Sequence, residues 1–192
     1  MKQVLVIDNH DSFVYNIIGL LREIEDIHWQ IMRNDKIDFK QLENYQYILL
    51  SPGPGTPQHS NQLMQLIHHT HKTHSILGVC LGHQAINEYF GGTIKQLAFP
   101  KHGHPSTLKI TNPKDIIFKD IEQTLQIGRY HSWTIEHTGK DLQVSSIDED
   151  NNIMSIYHTK YPIHSVQFHP ESIITNCGKQ IIKNWLYSSP HN

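Results

Sequence analysis

Cysteine is nearly absent from this chain. Two cysteines among 192 residues, Cys80 and Cys177, with no C-x-x-C spacing, indicate neither a disulfide framework nor a cysteine zinc site. Long apolar runs are missing as well. The first of them, Val4 to Ile7, is shorter than the core of a signal peptide, and no segment approaches the roughly 18 apolar residues of a membrane span, so a cytoplasmic protein without membrane contact is expected. Charge of one sign is also lacking: a formal net charge of −2 and a pI near 6.8 give no electrostatic reason to expect nucleic acid or an anionic membrane as a partner. No repeat, low-complexity tract or linker interrupts the sequence, and 38% hydrophobic with 18% charged residues is ordinary for a globular chain long enough to bury a core. One domain over residues 1–192 is the expectation.

Short apolar runs alternate with helical periodicity through the first half. Strands are expected at Val4–Ile7, Trp29–Met32, Tyr47–Leu50 and Ile76–Val79, with helices over about Ser12–Ile24, Asn61–His71 and Gln84–Phe90. That alternation predicts an α/β fold, an open and largely parallel twisted sheet with helices on both faces. Beyond Thr93 the strands follow faster, at Thr107–Ile110, Leu125–Ile127, Leu142–Ser146, Ile153–Tyr157 and Ile163–Phe168, before a closing helix at about Lys179–Tyr187. An added antiparallel portion fits that half, with Asp148–Asn152 as a polar turn.

The most informative stretch is Gly78-Val79-Cys80-Leu81-Gly82-His83-Gln84, directly after the apolar Ser75-Ile76-Leu77. It reads as a strand turning sharply into a helix with cysteine at the bend, a nucleophile elbow. Glycines two before and two after the cysteine let strand and helix pack closely around a strained turn that holds the side chain out into a cleft. At the first turn of a helix the sulfur meets the positive end of the dipole and free amide N–H groups, which favour an anion and can stabilise an oxyanion. On the elbow alone, an inert buried cysteine is an equal alternative.

His169-Pro170-Glu171 tips that balance. A cysteine nucleophile needs a base, and the base needs an orienting partner. In an extended segment residues i and i+2 point the same way, so Glu171 is expected beside His169 at the end of the strand. By itself the tripeptide says little in a chain with 16 histidines. With the elbow, it asks for a Cys80-His169-Glu171 triad.

Together with Ser51-Pro52-Gly53-Pro54-Gly55-Thr56-Pro57, the elbow and Val166-Gln167-Phe168-His169-Pro170-Glu171-Ser172 resemble the class I, or triad, glutamine amidotransferases. Asp8-Asn9-His10-Asp11-Ser12-Phe13 and Gly128-Arg129-Tyr130-His131-Ser132 narrow the resemblance to the small amidotransferase subunits of anthranilate synthase and aminodeoxychorismate synthase, over residues 1 to about 187. The resemblance implies a flavodoxin-like sheet with Cys80 as nucleophile, His169 as base and Glu171 as its orienting carboxylate. It further implies an oxyanion hole from the Gly53 and Leu81 amides, with glutamine held by the Gln84 side chain, Gly55 and the Ser132-Trp133 backbone. Two departures stand out: Trp133 where these subunits commonly carry leucine, and His102-Gly103-His104 in place of His-Gly-Lys.

A triad of this kind implies hydrolysis of L-glutamine to glutamate through a γ-glutamyl thioester, with no step for an organic cofactor or a metal in this chain. The ammonia would pass to a partner, by resemblance a chorismate-binding synthase subunit that itself binds Mg²⁺, and the product would be anthranilate or aminodeoxychorismate. The alternatives are a stand-alone cysteine γ-glutamyl hydrolase, an amidotransferase subunit of GMP synthesis and a non-catalytic binding subunit. Asp8–Phe13 favours the chorismate branch over the GMP cousin, and retention of Cys80, His169 and Glu171 together speaks against the last. Gly53 and Gly55 are expected to leave the Ser51–Pro57 loop more than one backbone conformation, and so leave room for control by the partner. That loop lacks the lysine and Ser/Thr of a phosphate loop. The histidines of His68–His74 are expected to be solvated residues at a helix end, suited to its dipole.

Overall fold

Val4 and Val6 point to one face of the first strand and Leu5 and Ile7 to the other, and all four are fully buried. A strand covered on both sides requires that pattern. The structure is a computed structural model that describes residues 1–187, apart from the side chains of His102 and His104, so the departure at His104 lies outside the described residues. In chain order the elements are β1 (Lys2–Asp8), α1 (Val14–Arg22), β2 (Ile27–Arg33), β3 (Tyr47–Leu50), α2 (Leu63–Thr70), β4 (Ser75–Val79), α3 (Leu81–Tyr89), β5 (Thr93–Ile110), β6 (Thr124–His137), β7 (Leu142–Asp148), β8 (Ile153–His158), β9 (Ile163–Val166) and α4 (Gly178–Tyr187).

The strands form one sheet in the order β2-β1-β3-β4-β9-β8-β7-β5-β6. Pairing is parallel from β2 across to β9 and antiparallel from β9 across to β6, so the α/β expectation and its antiparallel addition both hold. On one face α1 and α4 bring Ile17, Leu21, Ile181 and Trp185 against Val4, Val6, Leu49 and Leu77. On the other, α2 and α3 bring Leu63, Ile67, Ala85 and Ile86 against Leu5, Ile7, Ile48 and Leu50. Each buried side chain of this kind contributes about 1.5–3 kcal/mol, which fixes the register of the parallel half.

That register gathers the chemistry. Val79 lies opposite Val166 in the β4–β9 pair, and the Cys80 N–H donates to the Val166 carbonyl at 2.9 Å. Residues following β1, β3, β4 and β9 therefore meet at the carboxyl edge of the parallel strands, where such sheets place ligands.

Two expectations need correction. The short strands expected at Thr107–Ile110 and Leu125–Ile127 are parts of a long hairpin, β5 of 18 residues and β6 of 14, in which β6 carries the whole Gly128–Trp133 segment. Phe99-Pro100-Lys101-His102-Gly103-His104-Pro105 has little strand propensity, and the pairing slips between Gln96 and Lys101 and again between His102 and His104, so the periodicity that marks a strand is lost there. The helix expected from Gln84 begins at Leu81, directly after the bend.

A Cβ on Gly82 would lie 2.6 Å from the Leu50 carbonyl oxygen and 2.7 Å from the Leu50 Cβ, while one on Gly78 would meet the Gly82 carbonyl at 2.7 Å. Strand and helix therefore touch at the elbow, backbone to backbone. Gly82→Ala should cost about 1–3 kcal/mol by overpacking, whereas Gly19→Ala, at an open position within α1, should stabilise by about 0.5–1 kcal/mol. Urea unfolding of both variants checks this; equal effects would contradict the close approach.

Candidate active site

Cys80 sits between β4 and α3 with φ 52° and ψ −99°, a backbone conformation that a residue with a Cβ adopts only under strain. Its own carbonyl accepts the first helical bond, from the Gln84 N–H at 3.1 Å. The amides at the start of α3 have no partner inside the helix and surround the bend. Cys80 is itself only 6% exposed.

His169 reaches Cys80 by a different local route from the one expected. β9 ends at Val166, and His169 begins a turn closed by the Ser172 N–H on the His169 carbonyl at 3.2 Å, with Pro170 in the second position that proline favours. The turn, not an extended alternation, folds Glu171 back so that its Oε1 accepts from His169 Nδ1 at 2.6 Å. Both side chains are buried. The turn is tied to the sheet by the His169 N–H on the Gly128 carbonyl at 3.0 Å and by the Thr175 hydroxyl on the His169 carbonyl at 2.8 Å. Phe13 and Tyr130 close on the imidazole with ring centroids 5.0 and 4.9 Å away.

Burial alone would lower the pKa of His169, but hydrogen bonding to Cys80 and Glu171 and the charges of both push it up to about 10. Its Nε2 is buried without a well-formed partner, so the contact with the thiol is loose at rest, as nucleophile–base contacts often are before substrate binds. Glu171 accepting at Nδ1 leaves Nε2 as the nitrogen that can take a proton from the sulfur.

A cleft of about 190 Å³ opens beside the sulfur, lined by Gly53, Pro54, Gly55, Cys80, Gln84, Tyr130, His131, Ser132 and Trp133. Cys80, Gly53, Gly55, Gln84, Ser132 and Trp133, all named from the sequence, are thus brought together. Leu81, His169 and Glu171 stand outside the lining: Leu81 packs under Gly53, and the other two are enclosed next to Cys80. Gln84 Nε2 donates to the Trp133 carbonyl at 2.9 Å and to Gln167 Oε1 at 3.0 Å, so both its N–H groups are used and only its amide oxygen is left to offer a ligand.

The Ser51–Pro57 loop is held more firmly than its glycines suggest. A Cβ on Gly53 would lie 2.5 Å from Leu81 Cδ2 and 2.6 Å from Asn9 Cβ. Asn9 donates from its backbone to Ser51 Oγ at 3.0 Å and from its side chain to the Ser51 carbonyl at 2.8 Å, and its own Oδ1 accepts from Asn34 at 2.9 Å. Asn9, Asn34 and Gln167 carry no role in the sequence reading. Their one signal is a polar residue placed where the pattern wants an apolar one, as Gln167 is between Val166 and Phe168.

The histidine run also differs from expectation. His71 and His74 are buried and bonded to backbone, His74 Nε2 to the Leu42 carbonyl at 3.0 Å and His71 Nδ1 to the His68 carbonyl at 3.0 Å. They stitch the end of α2 to its surroundings. Among the described residues no group of three His, Cys, Asp or Glu side chains is arranged to hold a metal ion, and no helix is long and apolar enough to cross a membrane.

The family model for glutamine amidotransferase class-I matches residues 5–189. The sequence is 37% identical over 190 residues to a Haemophilus influenzae protein assigned as anthranilate synthase component II, covering 98% of this chain and 97% of that one. It is 40% identical over 193 residues to anthranilate synthase component 2 of Saccharolobus solfataricus, covering 97% and 98%. Among solved structures, a Thermoplasma acidophilum protein assigned to GMP synthase superposes with a TM-score of 0.86 at 25% identity, over 97% of this chain and 92% of that one. A glutamine amidotransferase from Thermotoga maritima shares the fold, with a TM-score of 0.76 at 14% identity over 96% of both chains.

A second histidine adjoins Cys80. His83 is fully buried, with Nδ1 on the Ser165 hydroxyl at 2.9 Å, and its pKa is pushed down to about 3 by burial and then by His131, against hydrogen bonding to Ser165. It stays neutral at every physiological pH and is a structural residue, not a rival base. Because the folded pKa lies below the unfolded value near 6.5, stability is present above pH 6.5 and is lost as pH falls toward 3. Between about pH 7.5 and pH 5.5 the native protein should lose about 1.4 kcal/mol more than its His83→Gln variant, measured by urea unfolding at each pH. Parallel pH curves for the two proteins would contradict this assignment.

Proposed function

This chain belongs to the class-I glutamine amidotransferase family, and on that premise we propose that it is the amidotransferase subunit of a chorismate-using synthase, with Cys80, His169 and Glu171 as its catalytic triad. The observation that carries the reading is the buried 2.6 Å contact between His169 Nδ1 and Glu171, placed beside a strained Cys80 that opens on the cleft. Glu171 holds the imidazole with Nε2 toward the sulfur, and His169 takes the thiol proton. The thiolate attacks the side-chain amide of L-glutamine. The oxyanion is met by the Gly53 and Leu81 amides, and protonated His169 gives its proton to the leaving nitrogen. Ammonia departs, and water hydrolyses the γ-glutamyl thioester to glutamate with His169 as base.

Gln84 supports substrate positioning, since the amide oxygen it offers the cleft suits the ammonium of an amino acid. Gly55 and the backbone of Ser132 and Trp133 border the same space and serve the amino-acid end. A backbone contact at position 133 is indifferent to tryptophan standing where leucine is common. No step in this sequence calls for a metal or organic cofactor in the chain. The ammonia goes to a chorismate-binding synthase subunit that binds Mg²⁺, and relatives named as anthranilate synthase components favour anthranilate over aminodeoxychorismate as the product.

Cys80→Ser should abolish glutamine-dependent synthesis in the reconstituted complex, by about a thousandfold or more, while product from added ammonia continues at the normal rate. His169→Ala should cost as much, and Glu171→Ala less, because an orienting carboxylate acts only through its histidine. Steady-state assays with glutamine and with ammonium as nitrogen source check both. Glutamine-dependent activity near normal in Cys80→Ser would end this assignment.

A further inference from the structure

The polar side chains between the β7–β8 turn and the nucleophile form one continuous chain, and its direction is determined. It starts at Arg129, fully buried and paired through Nη1 with the buried Asp148 carboxylate. Asp148 is fixed in turn by the backbone N–H groups of Asp150 and Asn152 at 2.9 and 2.7 Å. Arg129 Nε donates to His131 Nε2 at 3.0 Å. A guanidinium has donors only, so this nitrogen of His131 accepts, and the imidazole proton sits on Nδ1, which donates to the Trp133 carbonyl at 2.8 Å.

The same carbonyl accepts from Gln84 Nε2, which fills both of its lone pairs. The second N–H of Gln84 goes to Gln167 Oε1 at 3.0 Å. Gln167, with no solvent exposure, is thereby left with its amino group toward the Cys80 sulfur, Nε2 to Sγ 3.6 Å. The shape of a glutamine amide does not distinguish its two ends, but the Trp133 carbonyl, which can only accept, does: it takes the Gln84 amino group and so fixes both amides.

We infer that Gln167 is a catalytic residue that donates a hydrogen bond to the nucleophilic sulfur, its direction set by the Trp133 carbonyl through Gln84. An N–H aimed at the sulfur stabilises negative charge there, at rest and when the thioester breaks. The inference rests on the reading of Cys80 as nucleophile but needs neither glutamine nor the synthase.

Its test is the rate at which iodoacetamide alkylates Cys80 in the full chain, followed by peptide mass spectrometry. Cys177, whose pKa burial pushes up to about 11, gives a slow internal reference. Gln167→Met should slow alkylation about fivefold at pH 7. Gln167→Glu, which turns an acceptor toward the sulfur, should slow it further.

Unchanged rates at pH 7 in both Gln167 variants would overturn the inference. Glutamine turnover with unchanged alkylation would remove this donor and leave the proposed function standing. The expected alkylation pattern without glutamine turnover would do the reverse.

Discussion

The register between β4 and β9 is the constraint on which the site depends. Val79 stands opposite Val166 across a parallel pair buried on both faces, so the residues that follow the two strands leave the sheet side by side although they lie 87 positions apart in the sequence. A shift of one residue would exchange the two faces of β9, taking Val166 out of one core and Ile163 out of the other. The hydrophobic cores therefore decide where Cys80, Gln167 and His169 meet. Close contact at Gly78 and Gly82 then sets the angle at which α3 leaves the bend, and the turn at Pro170 sets the angle of the imidazole.

Two buried histidines flank the bend and respond in opposite directions. His83, tied to the Ser165 hydroxyl and near His131, is held neutral, with its pKa down to about 3. His169 is equally desolvated but has Glu171 and Cys80 against it, and is pushed up to about 10. The residue type is the same and the neighbours differ. A carboxylate on one ring nitrogen and a thiol near the other raise the proton affinity of the imidazole, whereas burial beside a hydroxyl leaves it neutral. The aromatic rings of Phe13 and Tyr130 hold the first of these in place, and Phe13 belongs to the segment after β1 that also supplies Asn9 to the Ser51–Pro57 loop.

The parallel half was legible in the sequence because its strands are apolar on both faces and its helices carry one apolar stripe, so length and period agree. The β5–β6 hairpin was not, since proline, glycine and histidine interrupt it and long-range pairing, not local propensity, makes it a strand. Cys80 was legible from two glycines whose spacing has a steric reason. Glu171 was placed beside His169 on the wrong ground: the contact exists, but a proline turn makes it. The burial of His71 and His74 depends on carbonyls of α2 and of Leu42, and nothing in the histidine run signals them. The chain from Arg129 to Gln167 draws its partners from four separate segments, and no local pattern announces it. The firmness of the Gly53 loop likewise comes from asparagines on two other loops.

In the proposed reaction one cysteine, at the elbow and beside a buried histidine–carboxylate pair, attacks the side-chain amide of glutamine. A chloroketone analogue of L-glutamine, incubated with the full chain and followed by peptide mass spectrometry, tests it most directly. One equivalent of label is expected on Cys80, none on Cys177, with protection by L-glutamine. Label on Cys177, or labelling of Cys80 that glutamine does not slow, would contradict it.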